Sequence, residues 1–391
     1  MLIFMPHTAR QEVLQMTRRE QQILAWIAEN PLISQQELAD RAGITRSSMA
    51  VHISNLTKKG YISGRGYILH TAPYVVVIGG ANMDIGGIAY APLVSGDSNP
   101  GRVRTSPGGV GRNIAHNLCL LGTDTRLITA FGDDDNGRRL TAFCGEPGID
   151  ISRSLTIHGA ATSTYLFISG PDGDMAVGLN DMEIYSHITP QYLSSLSGFL
   201  NGAQLVVTDT NIPAESLQWL AENCTAPLFA DPVSTAKAEK LRPILGRLHT
   251  LKPNRLEAEL LSGTAITDEQ SLCRAADVLL QTGLQRVFIS LGAGGVFAAD
   301  HRQYGHIPCG PAEVVNTTGC GDALMAAIVR ATLDGQDLGE TARTGLAAAA
   351  ITMQSAETIS ADLNMAALQR RLEQIPAAVL QDRQAPRDGI L

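Results

Sequence analysis

The stretch Asn316-Thr317-Thr318-Gly319-Cys320-Gly321-Asp322 constrains this chain more than any other, because it runs straight into Ala323-Leu324-Met325-Ala326-Ala327-Ile328. Ala312-Glu313-Val314-Val315 before it reads as a short strand, and the Ala-rich run after it as a helix. Two glycines one residue apart let the backbone turn tightly and approach a ligand closely. The amides of residues 319 to 322 then open a helix, whose N-terminus favours an anion through unpaired N–H groups and the helix dipole. Asp322 makes no sense as a ligand for that anion. It makes sense as a base that takes the proton of a hydroxyl about to attack a phosphate. The structural alternative is a strand-to-helix turn with an N-capping Asp.

A chain of 391 residues is too long for one small domain and suggests two units. With 44% hydrophobic and 17% charged residues it has the composition of a globular protein with a large core. The net charge of −8 is unevenly spread: residues 1–72 hold eight Lys/Arg against five Asp/Glu, a net +3 that leaves −11 on the remainder. A basic head on an acidic body suggests different partners for each. The six cysteines have no metal-ligand or redox spacing, so free thiols in a reducing cytoplasm are the expectation. No basic-then-apolar leader and no apolar run long enough to cross a bilayer stand out.

Residues 1–16 carry no clear pattern and are expected to form a loose extension. Residues 17–72 read as an α+β winged helix-turn-helix. Thr17 with Glu20 makes a capping box, Asn30-Pro31 ends the first helix, Ser34 caps a second, Ala42-Gly43 closes it, and Thr45 starts a third. Gly60 to Leu69 reads as the hairpin wing. In such a unit the third helix enters the major groove of DNA, so Arg46, Ser47, Ser48 and His52 would face DNA while Lys58, Lys59 and Arg65 would contact phosphate. A protein-interaction or dimerisation module is the alternative.

Ala72-Pro73 marks the boundary, and Tyr74 to Gly80 is an apolar strand ending in glycines. Asn82 and Asp84 beyond it can point to one side and bind vicinal hydroxyls, or make an ordinary polar turn. Ser106-Pro107-Gly108-Gly109-Val110-Gly111-Arg112-Asn113 precedes a helix, and its glycines imply backbone against a ligand. It lacks the Lys and Ser/Thr of a Walker A loop. Residues 163–187 alternate around Pro171-Asp172-Gly173, a hairpin. From residue 190 helices and strands alternate, and polar residues recur just past strand ends: Asp209-Thr210-Asn211, Asp231-Pro232-Val233, Lys252-Pro253-Asn254 and Ser290-Leu291-Gly292. Open α/β sheets bind ligands there. Asn254 with Glu257 also fits a helix-capping pair. Two Ala/Leu-rich helices over 338–375 are followed by a polar tail over 378–391 that is expected to fray from Gln381.

These stretches together resemble the ribokinase-like, PfkB-type sugar and nucleoside kinases, whose usual signature is Asp-Thr-Thr-Gly-Ala-Gly-Asp and whose sugar motif is Gly-Gly-x-Gly-x-Asn. The resemblance implies a ribokinase-like three-layer α/β sandwich over residues 73–377, with a small β-lid near 85–105 and 160–187 that is often shared across a homodimer. It implies Asp322 as catalytic base beside an anion hole at Gly319, Cys320 and Gly321. Asn82, Asp84, Gly108, Gly109, Asn113 and Asn211 would contact the sugar. Asn254, Ser290, Gly292, Gly295 and Thr318 would contact ATP, and Glu257 would hold Mg²⁺ through water. Asn316 replaces the first Asp of the signature, which in the family lies near a monovalent-cation site, and this puts potassium activation in question. Within the family, Ser98-Asn99-Pro100-Gly101, Pro107 to Ala115, Asp231 to Ser234 and His249 to Glu257 resemble bacterial pseudouridine kinases. The alternatives are a kinase for inosine, guanosine, cytidine or ribose, and a transcription regulator that uses the fold as a ligand sensor.

Overall fold

The computed structural model describes residues 16–62 and 73–383. Among the described residues the head holds three helices: α1 (Arg18–Glu29), α2 (Gln35–Ala42) and α3 (Arg46–Lys58). The expected capping box of Thr17 with Glu20 forms, Ser34 caps α2 as expected and makes a second box with Glu37, and Gly43 closes α2 in the left-handed conformation. Ile23, Ile27, Leu38, Met49, Ile53 and Leu56 meet in a core of their own. The wing from residue 63 onward, with Arg65, lies outside the described residues.

The body begins with β1 (Val75–Ile78), β2 (Asn82–Ala89), β3 (Gly101–Gly108), α4 (Val110–Leu120) and β4 (Thr125–Ile128). A small pair, β5 (Ala130–Gly132) and β6 (Leu155–Ile157), flanks α5 (Asp135–Gly145). Then come β7 (Thr164–Ser169), β8 (Met175–Asp181), α6 (Pro190–Ser195) and α7 (Ser197–Asn201). The alternating part runs β9 (Leu205–Asp209), α8 (Ala214–Asn223), β10 (Leu228–Asp231), α9 (Thr235–Ala238), β11 (Thr250–Leu251), α10 (Arg255–Ser262), α11 (Glu269–Gln281) and β12 (Arg286–Ser290). The chain closes with β13 (Val296–Asp300), β14 (Gln303–Ile307), α12 (Cys320–Leu333), α13 (Leu338–Met353), α14 (Met365–Leu372) and β15 (Gln381–Asp382).

The nine-stranded sheet has the order β15-β14-β13-β12-β11-β10-β9-β1-β4. It is parallel from β12 to β4 and antiparallel beyond. Strand alternation splits the core between the two faces. Val75 and Val77 pack with Ile114, Leu118, Ile328 and Ala347 of α4, α12 and α13. Val76 and Ile78 pack with Leu217, Leu261 and Leu279 of α8, α10 and α11. Helices on both faces explain why these strands are apolar throughout. The ribokinase-like three-layer sandwich expected from the sequence is therefore present. A separate four-stranded sheet, β3-β2-β7-β8, forms the lid, with the Pro171-Asp172-Gly173 turn between β7 and β8. Val103, Leu166, Ile168, Met175, Val177 and Leu179 of that lid are exposed.

Head and body touch where α3 ends. On the body side of this junction, Tyr74 donates from its hydroxyl to the Phe199 carbonyl at 2.7 Å. Arg126 stacks 3.6 Å above the Tyr74 ring. A Cβ on Gly198 of α7 would sit 2.7 Å from the Lys58 carbonyl oxygen, so only glycine lets α3 lie this close.

Two expectations are corrected. Ala312–Val315 is not a strand; its neighbour is the end of α13, and the Val315 and Asn316 amides both donate to the Met353 carbonyl. With no strand to pair with, Val314 and Val315 stay exposed. Nor does the tail fray at Gln381, because β15 pairs with β14, which would otherwise present unpaired backbone at the sheet edge.

Candidate active site

Four segments converge at the C-terminal ends of the parallel strands. The first is the start of β2. Asn82 and Asp84 lie within that strand rather than in a turn, with side chains on one face, and Asn82 Nδ2 donates to Asp84 Oδ1 at 2.6 Å. Burial raises the Asp84 pKa to about 6, against the lowering effect of that bond and of Arg112. The second segment is the β3–α4 loop. Gly109 adopts a φ of 94°, open to glycine, and a side chain there would strike the Gly80 carbonyl. A side chain on Gly108 would strike the Asp84 carboxylate.

The third segment is the turn into α12. Gly319 caps the helix with a φ of 83°, and Cys320 and Gly321 form its first turn. The Gly321 and Asp322 amides have no earlier helical turn to donate to and are open to an anion. Asp322 is buried, and its Oδ2 accepts a hydrogen bond from Asn113 Nδ2 at 2.7 Å. The glycine-rich segment that ends in Asn113 and the candidate base thus meet directly, 209 positions apart. Burial and then Asp231 raise the Asp322 pKa to about 7, while Asn113, Lys252 and Arg112 pull it down. A carboxylate titrating there can accept a proton near neutral pH.

The fourth segment follows β9. Asn211 donates its amide to Asp209 Oδ1 at 2.8 Å and accepts from Lys237 Nζ at 2.6 Å.

Nearby, a cleft of about 680 Å³ is lined by Asn254, Leu256, Ile266, Leu272, Ser290 and Gly292 among others. Leu256 is 55% exposed, an apolar surface suited to a planar base. Asn254 and Glu257 form the capping box as well, with Asn254 N–H donating to Glu257 Oε2 at 2.8 Å. Burial raises the Glu257 pKa. Gly295 shapes the turn through its bond to the Gly292 carbonyl. Thr318 stands exposed beside the glycines, its amide held by Asn316 Oδ1 at 3.0 Å, and is not part of the cleft lining.

Three residues that the sequence places just past strand ends, without a role of their own, prove central to the site. Lys252 pairs with Asp231 at 3.0 Å, both nearly buried, and its Nζ lies 3.5 Å from where a Cβ on Gly321 would sit. Burial opposes the Lys252 charge, but the carboxylates of Asp231, Glu257 and Asp322 together outweigh it and the pKa is raised. Asp209, 1% exposed, accepts from the amides of Gly80 (2.9 Å) and Gly111 (2.8 Å) as well as Asn211. It thereby holds three of the converging segments in register. All three residues sit within or just past strand ends, the position that marks ligand contacts in open α/β sheets.

In the head, Arg46, Ser47, Ser48 and Lys58 are exposed on α3 and His52 is half-buried. Ser48 Oγ is shared with Thr45 Oγ1 at the helix cap. The expectation that Lys59 meets phosphate is corrected. Its Nζ lies 2.9 Å from both carboxylate oxygens of Glu20, whose side chain is buried, so that charge is spent inside the head.

Among the described residues, no helix is long and apolar enough to cross a membrane.

A family model described as pfkB family carbohydrate kinase matches residues 72–364, and one described as winged helix-turn-helix DNA-binding matches residues 16–63. The chain is 40% identical over 355 residues to the uncharacterized sugar kinase YeiI of Escherichia coli (strain K12), covering 89% of this chain and 98% of that one. It is 39% identical over 295 residues to the pseudouridine kinase of the same strain, covering 75% and 94%. A solved carbohydrate kinase from Agrobacterium tumefaciens superposes with a TM-score of 0.70 at 30% identity, covering 79% of this chain and 100% of that one. The chain belongs to the pfkB family of carbohydrate kinases, with a winged helix-turn-helix domain ahead of the kinase fold.

Proposed function

We propose that the chain transfers the γ-phosphoryl group of ATP to the ribose 5′-hydroxyl of a nucleoside, and that this nucleoside is pseudouridine. The observation that carries the reading is the Asn113–Asp322 hydrogen bond, which puts a sugar-binding motif against a buried carboxylate at a helix N-terminus. Asn82, Asp84, Gly108, Gly109 and Asn113 hold the ribose hydroxyls, and Asn211 faces the same space. Asp322 accepts the 5′-hydroxyl proton as the oxygen attacks phosphorus and ADP leaves. The Gly319, Cys320 and Gly321 turn aims its amides at the transferring group, and the Lys252 ammonium beside Gly321 offsets its charge. Asn254, Ser290 and Gly292 seat the nucleotide in the cleft, and Gly295 and Thr318, outside its lining, contact the same nucleotide.

No cluster of three or more His, Cys, Asp or Glu side chains able to hold a metal occurs among the described residues. That fits Mg²⁺, which binds through one or two carboxylates, waters and substrate phosphates rather than a protein cage. Glu257 is the residue that would hold it, through water. When bound, Mg²⁺ neutralises charge on the phosphates. Asn316 bonds to the Ala356 carbonyl and the Thr318 amide, so this amide fills the place of the signature's first carboxylate.

Pseudouridine is favoured by the 39% identical relative named for that activity and by the motif runs that resemble such kinases. A kinase for another nucleoside or for ribose is the second reading, favoured by the equally similar sugar kinase. The exposed apolar strip on the lid supports a homodimer in which two lids pack together. The test is an acceptor screen with ATP, Mg²⁺ and a panel of nucleosides and pentoses. Transfer to pseudouridine with the highest kcat/KM is expected; a higher value for ribose or a purine nucleoside overturns the assignment.

A further inference from the structure

Arg112 is fully buried on the first turn of α4, and among the described residues it forms no ion pair. A buried cation without a paired carboxylate is costly unless its donors are used. They are used on backbone and on one side chain. Nε donates to the Gly108 carbonyl at 3.0 Å and Nη2 to the Pro107 carbonyl at 2.9 Å. Nη2 also donates to Asn113 Oδ1, and Nη1 lies 3.5 Å from His116 Nδ1.

The bond to Asn113 has a chemical consequence. A guanidinium carries donors only, so Asn113 must turn its oxygen toward Arg112. Its NH₂ group then has one direction left, toward Asp322 Oδ2, where it donates at 2.7 Å. The amide of an unconstrained asparagine could rotate and present oxygen to oxygen, which would repel the ionised carboxylate. The positive end of α4 lies next to Arg112 and opposes its charge. The carboxylates of Asp84 and Asp322 act in the other direction.

We propose that Arg112 is a positioning residue for phosphoryl transfer: it fixes the Asn113 amide so that Asn113 orients Asp322 toward the acceptor hydroxyl. This rests on the kinase reading above. A plain structural role, in which Arg112 only ties the Pro107-Gly108 backbone, makes different predictions.

The experiment is a double-mutant cycle with Arg112→Met, Arg112→Lys and Asn113→Ala, read by steady-state kinetics and by the Asn113 side-chain NH₂ resonances in amide NMR. Arg112→Met should lower kcat by roughly 10–100-fold, the range for losing a hydrogen bond to a charged group. In the Asn113→Ala background the same substitution should leave kcat within about twofold, because the residue it acts through is gone. Its effect on the acceptor KM, which comes from the loop, should persist there. Arg112→Lys keeps the charge without the fork and should fall between the two; it also serves if Arg112→Met does not fold. In NMR, the Asn113 NH₂ protons should be protected from exchange in wild type and lose that protection in Arg112→Met. Additive effects on kcat, or unchanged Asn113 resonances, overturn the proposal. A wild type that transfers to no acceptor overturns the kinase reading instead, while the NMR comparison still decides whether Arg112 orients Asn113.

Discussion

Lys252 Nζ lies 3.0 Å from Asp231 Oδ2, both side chains almost closed to solvent at the ends of neighbouring parallel strands. Removing one partner of such a pair leaves an uncompensated buried charge, at a cost of roughly 3–5 kcal/mol. Lys252→Met should therefore destabilise the kinase domain by about that much, and it should depress kcat as well. The double variant Lys252→Met/Asp231→Leu should recover most of the stability without the activity, since two apolar side chains replace the pair. Denaturant melts of the three proteins separate these effects. A single Lys252→Met variant as stable as wild type would contradict the pairing.

Asp322 makes a linked prediction about pH. Its pKa in the fold is about 7, against an ordinary value of 3.8, because the folded site disfavours the ionised form. Between those two values the native state holds a proton that the unfolded chain has released, so stability falls as pH rises across this window. The loss is complete above about pH 7 and absent below about pH 4. Asp322→Asn lacks this ionisation. It should be more stable than wild type at pH 8 by roughly 1–3 kcal/mol, with the difference shrinking toward pH 4. Phosphoryl transfer should be lost while acceptor binding remains measurable by calorimetry. For wild type, kcat/KM should rise with pH through about 7 as the base ionises.

Asp209 accepts three backbone N–H bonds and reaches no substrate motif with its own side chain except through them. Asp209→Asn keeps its shape but turns one acceptor into a donor facing those amides. The acceptor KM should rise about tenfold or more, with the KM for ATP changed far less, because Gly80, Gly111 and Asn211 all belong to the segments proposed to hold the sugar. Equal changes in both constants would point to general loosening instead.

The legible part of this molecule is the part written in local chemistry. Capping pairs at Thr17-Glu20, Ser34-Glu37 and Asn254-Glu257 were readable because both members lie within one helical turn. The parallel strands were readable from apolar runs that end in polar residues. Ala312–Val315 misled because an apolar tetrapeptide carries no information about whether a strand lies beside it. Lys59 misled for a similar reason, since its partner Glu20 is 39 positions away and only packing brings them together. Asp209, Asp231 and Lys252 were hidden in plain view: the motif runs contained or bordered them, but charge pairing and amide acceptance across strands have no sequence period.

The last prediction concerns the head, which we propose binds DNA through α3. Arg46, Ser47 and Lys58 are exposed along that helix, and Val51 is 59% exposed beside them, a surface with both hydrogen-bonding and apolar contacts for a major groove. Lys59 and the Glu20 it pairs with are both counted in the +3 of residues 1–72, so their pairing leaves that modest net charge unchanged. Non-specific affinity should be weak, and detectable binding should require a particular site. Selection of genomic fragments on the purified full chain should return one enriched motif. Arg46→Ala should weaken binding to it by about tenfold, an effect of roughly 1–3 kcal/mol if the guanidinium reads a base. Lys59→Met should instead unfold the head, because it leaves Glu20 buried without its cation. Gly198→Leu would push α3 off α7 and should expose the junction to protease while kinase activity persists. If nucleoside changes the affinity for the selected site in wild type but not in Gly198→Leu, the α3–α7 contact couples the two halves. No enriched motif with or without nucleoside would sink the DNA-binding reading and leave the head as a protein-interaction module.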